Sequence, residues 1–159
     1  MNHSLTPLAS TNPHVGPGAR ILFLAIAVLS LAGMIVSAVS LQRHYAKSET
    51  SYCEFGERFN CDIVNRSEYS SLLGIPVAGI GVAGYALLVV LSTFQRLDNQ
   101  TPTRLLLAAS AGLALALYLT YVEAYVLTTW CILCLTSLAL ITLITMFAGL
   151  VKLSQPKHL

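Results

Sequence analysis

Four residues of this 159-residue chain stand out for their chemistry, the cysteines Cys53, Cys61, Cys131 and Cys134. The second pair forms the string Cys131-Ile-Leu-Cys134. On a helix this spacing puts both residues on one face with Cβ atoms about 5–6 Å apart, close enough for a disulfide after a small backbone adjustment. At a helix start, free N–H groups and the positive end of the dipole favour the thiolate, the nucleophilic form of cysteine. Thr128 or Thr129 is placed to cap such a helix. Taken alone, the pair also has a plainer reading as two small residues buried among apolar neighbours.

Cys53 and Cys61 bracket residues 54–60, a stretch polar enough to be exposed and bent by Gly56. Four cysteines allow three pairings, and a static disulfide is a common use of such a loop. Two pairs on one side of a membrane suggest exchange instead: a thiolate of one pair attacks the disulfide of the other and hands on two electrons. Zinc is a third use, poorly suited because structural zinc takes closely spaced knuckles in a polar fold, whereas one pair here lies in an apolar run. His3, His14, His44 and His158 fall in tails or at a span end and are expected to be solvated. No metal is expected.

Composition says what must position these groups. With 55% hydrophobic and 10% charged residues and a mean hydropathy of +0.71, the chain falls well short of the charged quarter, roughly, that coats a soluble globule. It is read as a membrane protein in contact with lipid. A net charge of +2 gives no basic face for nucleic acid. No stretch reads as strand, Gly-rich turn and helix, which sets nucleotide folds aside.

Apolar runs at 21–41, 72–94, 105–127 and 130–151 are each long enough to cross about 30 Å of hydrocarbon as a helix. The expected fold class is therefore all-α and integral to the membrane: a bundle of four transmembrane helices with a long extracytoplasmic redox loop, 42–71, between helices 1 and 2. Residues 1–19, with Pro7, Pro13 and Pro17, read as a disordered cytoplasmic tail, 20–152 as the membrane domain and 153–159 as a short cytoplasmic tail. A cleaved signal peptide is the competing reading of the first run, but that run exceeds an h-region of about 7–15 residues.

Arg20, Arg96, Arg104, Lys152 and Lys157 fall on the terminal side, against Arg43, Lys47, Arg58 and Arg66 on the other. The excess places both termini in the cytoplasm. All four cysteines then lie outside it, where cysteines persist as disulfides or redox couples.

Inside the spans the one formal charge is Glu123. It lies about 160–200° around the helix from its nearest tyrosine neighbours and is expected to meet headgroups or the loop. Tyr118, Tyr121 and Tyr125 share a face near the extracytoplasmic end of the third span, either as a membrane belt or as the wall of a ligand site. Small residues recur in the second span (Ala78, Gly81, Gly84) and third (Ala108, Ala111, Gly112), as close helix packing requires. Asn65-Arg-Ser67 fits the glycosylation pattern, which is short enough to arise by chance.

The stretch Cys61-Asp62-x-Val64-x-x-Ser67-x-Tyr69-Ser70, followed by Gly74-Ile75-Pro76-Val77, resembles the loop and second span of bacterial vitamin K epoxide reductase homologues. Tyr118-Leu119-x-Tyr121 with Cys131-x-x-Cys134 beyond it is similar to that family's third and fourth spans. The likeness runs over 53–137. It implies a four-helix bundle enclosing a quinone, ubiquinone or menaquinone, as electron acceptor, with loop cysteines drawing electrons from a separate DsbA-like protein of thioredoxin fold. In that pattern Cys53 meets the partner's thiol, Cys61 exchanges with Cys131, and Cys134 acts at the quinone. Ser67 matches the family serine near the redox centre, and Tyr118 and Tyr121 fall where they would wall the ring.

The chain departs from the family's animal members, which carry a tyrosine four residues after the motif and an asparagine early in the second span to bond the vitamin K head group. Leu138 holds the first place and Val77 or Ala78 the second. Epoxide reduction is thus unsupported. Many bacterial members also carry a fused thioredoxin domain, whereas this sequence stops at Leu159. The expected function is that of a thiol:quinone oxidoreductase of the bacterial inner membrane that supports disulfide formation. The alternatives are a vitamin K type quinone or epoxide reductase serving quinol production, and a disulfide-stapled membrane scaffold without activity.

Overall fold

The structure, a computed structural model, describes residues 17–45, 58–72, 74–93 and 101–154. Four apolar helices dominate it: α1 (Pro17–Tyr45), α3 (Val77–Thr93), α4 (Thr101–Val122) and α5 (Ile132–Leu153), with a short helix α2 (Cys61–Asn65) between the first two. Three of the four, over Gly18–Tyr45, Thr101–Leu127 and Ile132–Leu153, are long and apolar enough to cross a membrane.

α1 begins on Pro17, whose fixed φ and missing N–H suit the first turn. The helix therefore takes in residues 17–19, assigned above to a tail, and runs on through Arg43 and His44, whose basic side chains suit its C-terminal end. Ile21, Leu24, Val28, Leu31 and Ile35 are exposed along one face, while Phe23, Ile26 and Ser30 are buried on the other. An apolar face left outside a packed bundle is what lipid requires.

α3 is the shortest of the four at seventeen residues. It starts at Val77 rather than near 72 because β1 (Ser71–Leu72) and β2 (Ile75–Pro76) form a small antiparallel hairpin first, in register Ser71 to Pro76 and Leu72 to Ile75. Gly74 makes the turn at φ +81°, a conformation that side chains resist.

α1 packs against α3 and α5, and α4 against α5 and α3, closing the four into a ring. A close approach between α1 and α3 depends on Gly33, where a Cβ would overlap the ring of Tyr85, and on Gly81, where one would meet Ser37 Oγ at 2.8 Å. One core, with Phe23, Ile26, Leu88, Leu105 and Ile144, fills the end of the ring near the start of α1. A smaller cluster of Cys61, Val64 and Cys131 closes the opposite end.

Candidate redox site around Cys131 and Cys134

Helix α2 is too short to be stable by itself. It is capped by Asn60, whose Oδ1 accepts from the N–H groups of Asp62 and Ile63 at 3.0 and 3.1 Å. Three contacts hold it on the end of α1: Arg43 with Asp62 at 3.6 Å, Ser40 Oγ donating to Asn65 Oδ1 at 2.7 Å, and His44 Nδ1 on the Asn65 carbonyl. From the other side Phe59 forms a parallel β-bridge with Trp130. Cys61 and Cys131, each just beyond this bridge, are fully buried in one cluster. Cys61 is disulfide-bonded, and Cys131 and Cys134 are free thiols. Cys53 lies outside the described residues.

The bridge keeps residues 128–131 out of helix, so Cys131 is the N-cap of α5 and Cys134 falls in the first turn. Neither threonine caps α5 as expected, because both hydroxyls bond the Leu127 carbonyl instead. Thr128 adopts φ +49°, a left-handed conformation uncommon for a β-branched residue. The neighbouring Cys134 thiol holds the Cys131 thiol below the usual thiol range, aided by N–H groups of Leu133 and Cys134 and opposed by burial and Glu123.

The two sulfurs of the motif serve different spaces. Cys134 lines a cavity of about 390 Å³ inside the helix ring; Cys131 is not among its lining residues and packs with Cys61. Gly84, Ala108, Ala111 and Gly112 help to wall the cavity, so part of the small-residue pattern read above as packing makes room instead. Polar groups gather in the same wall, from Ser40 and His44 on α1 to Asn65, Ser67 and Glu123.

Glu123 is 1% exposed and does not reach headgroups. It opens a π-helical turn, Glu123–Leu127, and its Oε2 accepts from the Cys131 N–H at 3.1 Å. A carboxylate oxygen and both motif sulfurs lie within 4.8 Å of one another. Among the described residues this trio is the group close enough to ligate a metal ion. The angular separation from the tyrosines holds, but with the faces exchanged: Glu123 points inward, while Tyr118 and Tyr121 are 51% and 59% exposed. Neither tyrosine lines the cavity; Tyr121 stacks at 4.8 Å on Tyr125, outside.

Leu138 is half-buried and does not line the cavity either, because its neighbour Ser137 takes that position and bonds the Tyr85 hydroxyl at 2.9 Å. Ser67 does line it, with its hydroxyl committed to the Val64 carbonyl at 2.8 Å. His44 is part-buried and bonded rather than solvated. Asn65 is buried, which removes it as a glycan acceptor. Of the residues not assigned from sequence, Glu123 carried a signal as the lone charge within a span. Asn65 and Ser40 carried none.

The family model described as the vitamin K epoxide reductase family matches residues 24–148. No curated protein matches the chain.

Proposed function

Because the chain belongs to the vitamin K epoxide reductase family, we propose that this membrane oxidoreductase is a thiol:quinone oxidoreductase. It reoxidises a separate DsbA-like protein of thioredoxin fold and sends the electrons through Cys53 and Cys61, then Cys131 and Cys134, to a membrane quinone. The observation that carries this reading is the division of the motif, with Cys131 against Cys61 and Cys134 in the cavity wall.

The residues fit a quinone. A cavity of about 390 Å³ with small, apolar walls suits a flat ring, and pockets for small ligands begin near ~300 Å³. A bound quinone supplies the sink for two electrons and two protons.

The protein's residues perform the rest. Cys53 forms a mixed disulfide with the partner, releasing Cys61 as a thiolate; the partner's second thiol then frees Cys53 and leaves oxidised. Cys61 attacks the Cys131 sulfur of the motif disulfide, and Cys134 departs as a thiolate at the cavity wall. Cys53 closes on Cys61, restoring the loop disulfide and leaving Cys131 and Cys134 as the reduced pair. Their disulfide re-forms as the electron pair leaves from Cys134, and the two thiol protons of the pair, one of them by way of Glu123, go to the cavity, where the two-electron reduction consumes both. In this reading the cysteines face the extracytoplasmic side of a bacterial inner membrane and both termini the cytoplasm.

Purified protein mixed with a reduced thioredoxin-fold protein and either a ubiquinone or a menaquinone analogue tests the proposal. Quinol should form in step with partner disulfide, one for one. Oxidation of the partner without quinol, or no oxidation with any quinone, contradicts it.

A further inference from the structure

A five-residue helix holds one polar side chain that faces the cavity with an uncommitted hydrogen. Asn65 is only 6% exposed. Its Oδ1 accepts from Ser40 Oγ at 2.7 Å, and its backbone carbonyl is held by His44. Its Nδ2 is buried and has no hydrogen-bond partner among the described residues. Asn65, Ser40 and His44 all line the cavity. A buried amide N–H left unmet is destabilising, and such groups in folded proteins are almost always matched by something that accepts.

Two other hydroxyl donors in the wall are already engaged, and the buried Glu123 Oε1, which also lacks a partner among the described residues, is an oxygen rather than an amide donor. The Ser67 hydroxyl donates to the Val64 carbonyl at 2.8 Å, and the Tyr85 hydroxyl to the Ser137 carbonyl at 3.0 Å. Ser40 donates to Asn65 Oδ1, which leaves Nδ2 as the end of the amide without a partner among the described residues. The buried amide donor left unmet in this wall is Asn65 Nδ2, and what it takes is an oxygen acceptor within a largely apolar space.

We propose that Asn65 is a ligand-binding residue whose side-chain N–H donates to a ring carbonyl oxygen of the quinone, with Ser40 and His44 as the residues that position it. The inference rests on the quinone reading above and adds the recognition element that reading lacks. It also gives α2 a second role. The helix that carries Cys61 to Cys131 carries the carbonyl donor as well, so docking of the redox loop on α1 and quinone recognition are one event.

Equilibrium dialysis of the purified full chain in nanodiscs tests this without turnover. The two probes are a short-chain ubiquinone analogue and the same ring with both oxygens capped as methyl ethers, which are poor acceptors. Asn65→Leu should weaken binding of the quinone analogue about tenfold or more, as loss of a buried hydrogen bond predicts, and leave the capped ring's binding unchanged. Asn65→Asp keeps the shape and the Ser40 contact but loses the donor; it should weaken the quinone in the same way, and it carries the test if the leucine variant unfolds. Unchanged quinone affinity in the aspartate variant, or equal loss of both probes, overturns the role of Asn65. Absence of quinone binding by the unmodified chain overturns the underlying reading instead, and this inference with it.

Discussion

Phe59 and Trp130 pair through their main chains, with the Trp130 N–H donating to the Arg58 carbonyl at 2.9 Å and the Asn60 N–H to the Trp130 carbonyl at 3.2 Å. The segment carrying Cys61 is thereby tied to the residue before Cys131, and Cys61 and Cys131 are held in one buried cluster independently of side-chain identity at the bridge. Trp130→Pro removes one of these N–H groups, and Trp130→Phe removes neither. The proline variant should slow exchange between the loop and the motif by about fivefold or more, a loss of ~1 kcal/mol, while the phenylalanine variant stays near wild type. Acid-quenched alkylation and mass analysis of the four cysteines would read this. Equal rates in both variants would remove the bridge from the mechanism.

Glu123 meets the Cys131 N–H with Oε2 and stands near both sulfurs. Glu123→Gln keeps an acceptor for that N–H but takes up no proton, whereas Glu123→Leu loses both functions. Thermal unfolding in detergent should show the leucine variant less stable than the glutamine variant by about 1–3 kcal/mol, the cost of a buried unmet N–H. Single-turnover quinone reduction by pre-reduced protein should be slow in both, by about 10²-fold or more. A glutamine variant that turns over like wild type would rule out the proton role and leave only the structural one.

The Cys131 thiol is held low chiefly by the Cys134 thiol. A depressed thiol is ionised above its lowered pKa and loses the thiolate as pH falls through it. In reduced motif with the loop disulfide intact, ultraviolet titration should therefore show a first thiolate below the usual range of about 8.5. Cys134→Ala removes the largest stabilising contact, and the first thiolate should move to higher pH. A titration that does not move would assign the effect to the helix N–H groups instead.

Much of this arrangement is written in local spacing. The apolar runs mark α1, α4 and α5, because a helix that must bury or face lipid all round needs little periodicity to be seen. The Cys-x-x-Cys string marks the start of α5, since a motif of that kind carries its own geometry. What sequence does not disclose is rotation. Tyr118 and Tyr121 share a face, as their spacing requires, but which face turns inward is decided by packing against α5 and α3, and the inward side carries Glu123. In the same way His44 and Asn65 are distant in sequence and meet only because α2 folds back on α1. Leu138 misses the cavity by one position, since Ser137 occupies the inward register of α5.

Orientation has a separate test. If the cysteines face outward from the cytoplasm, a membrane-impermeant thiol reagent should label Cys53 in reduced, intact spheroplasts. Labelling that appears only after permeabilisation would reverse the topology.

In the proposed relay, electrons from a protein partner reach the quinone only through the loop, while the motif alone can reduce it. Single-turnover quinol formation by Cys61→Ser, driven either by a reduced thioredoxin-fold protein or by a small dithiol, measures this most directly. The relay predicts that protein-driven quinol formation falls by about 10²-fold or more while dithiol-driven formation persists near the wild-type rate. Loss of both would make the loop cysteines structural, retention of both would bypass them, and either result contradicts the relay from Cys61 to Cys131 and Cys134.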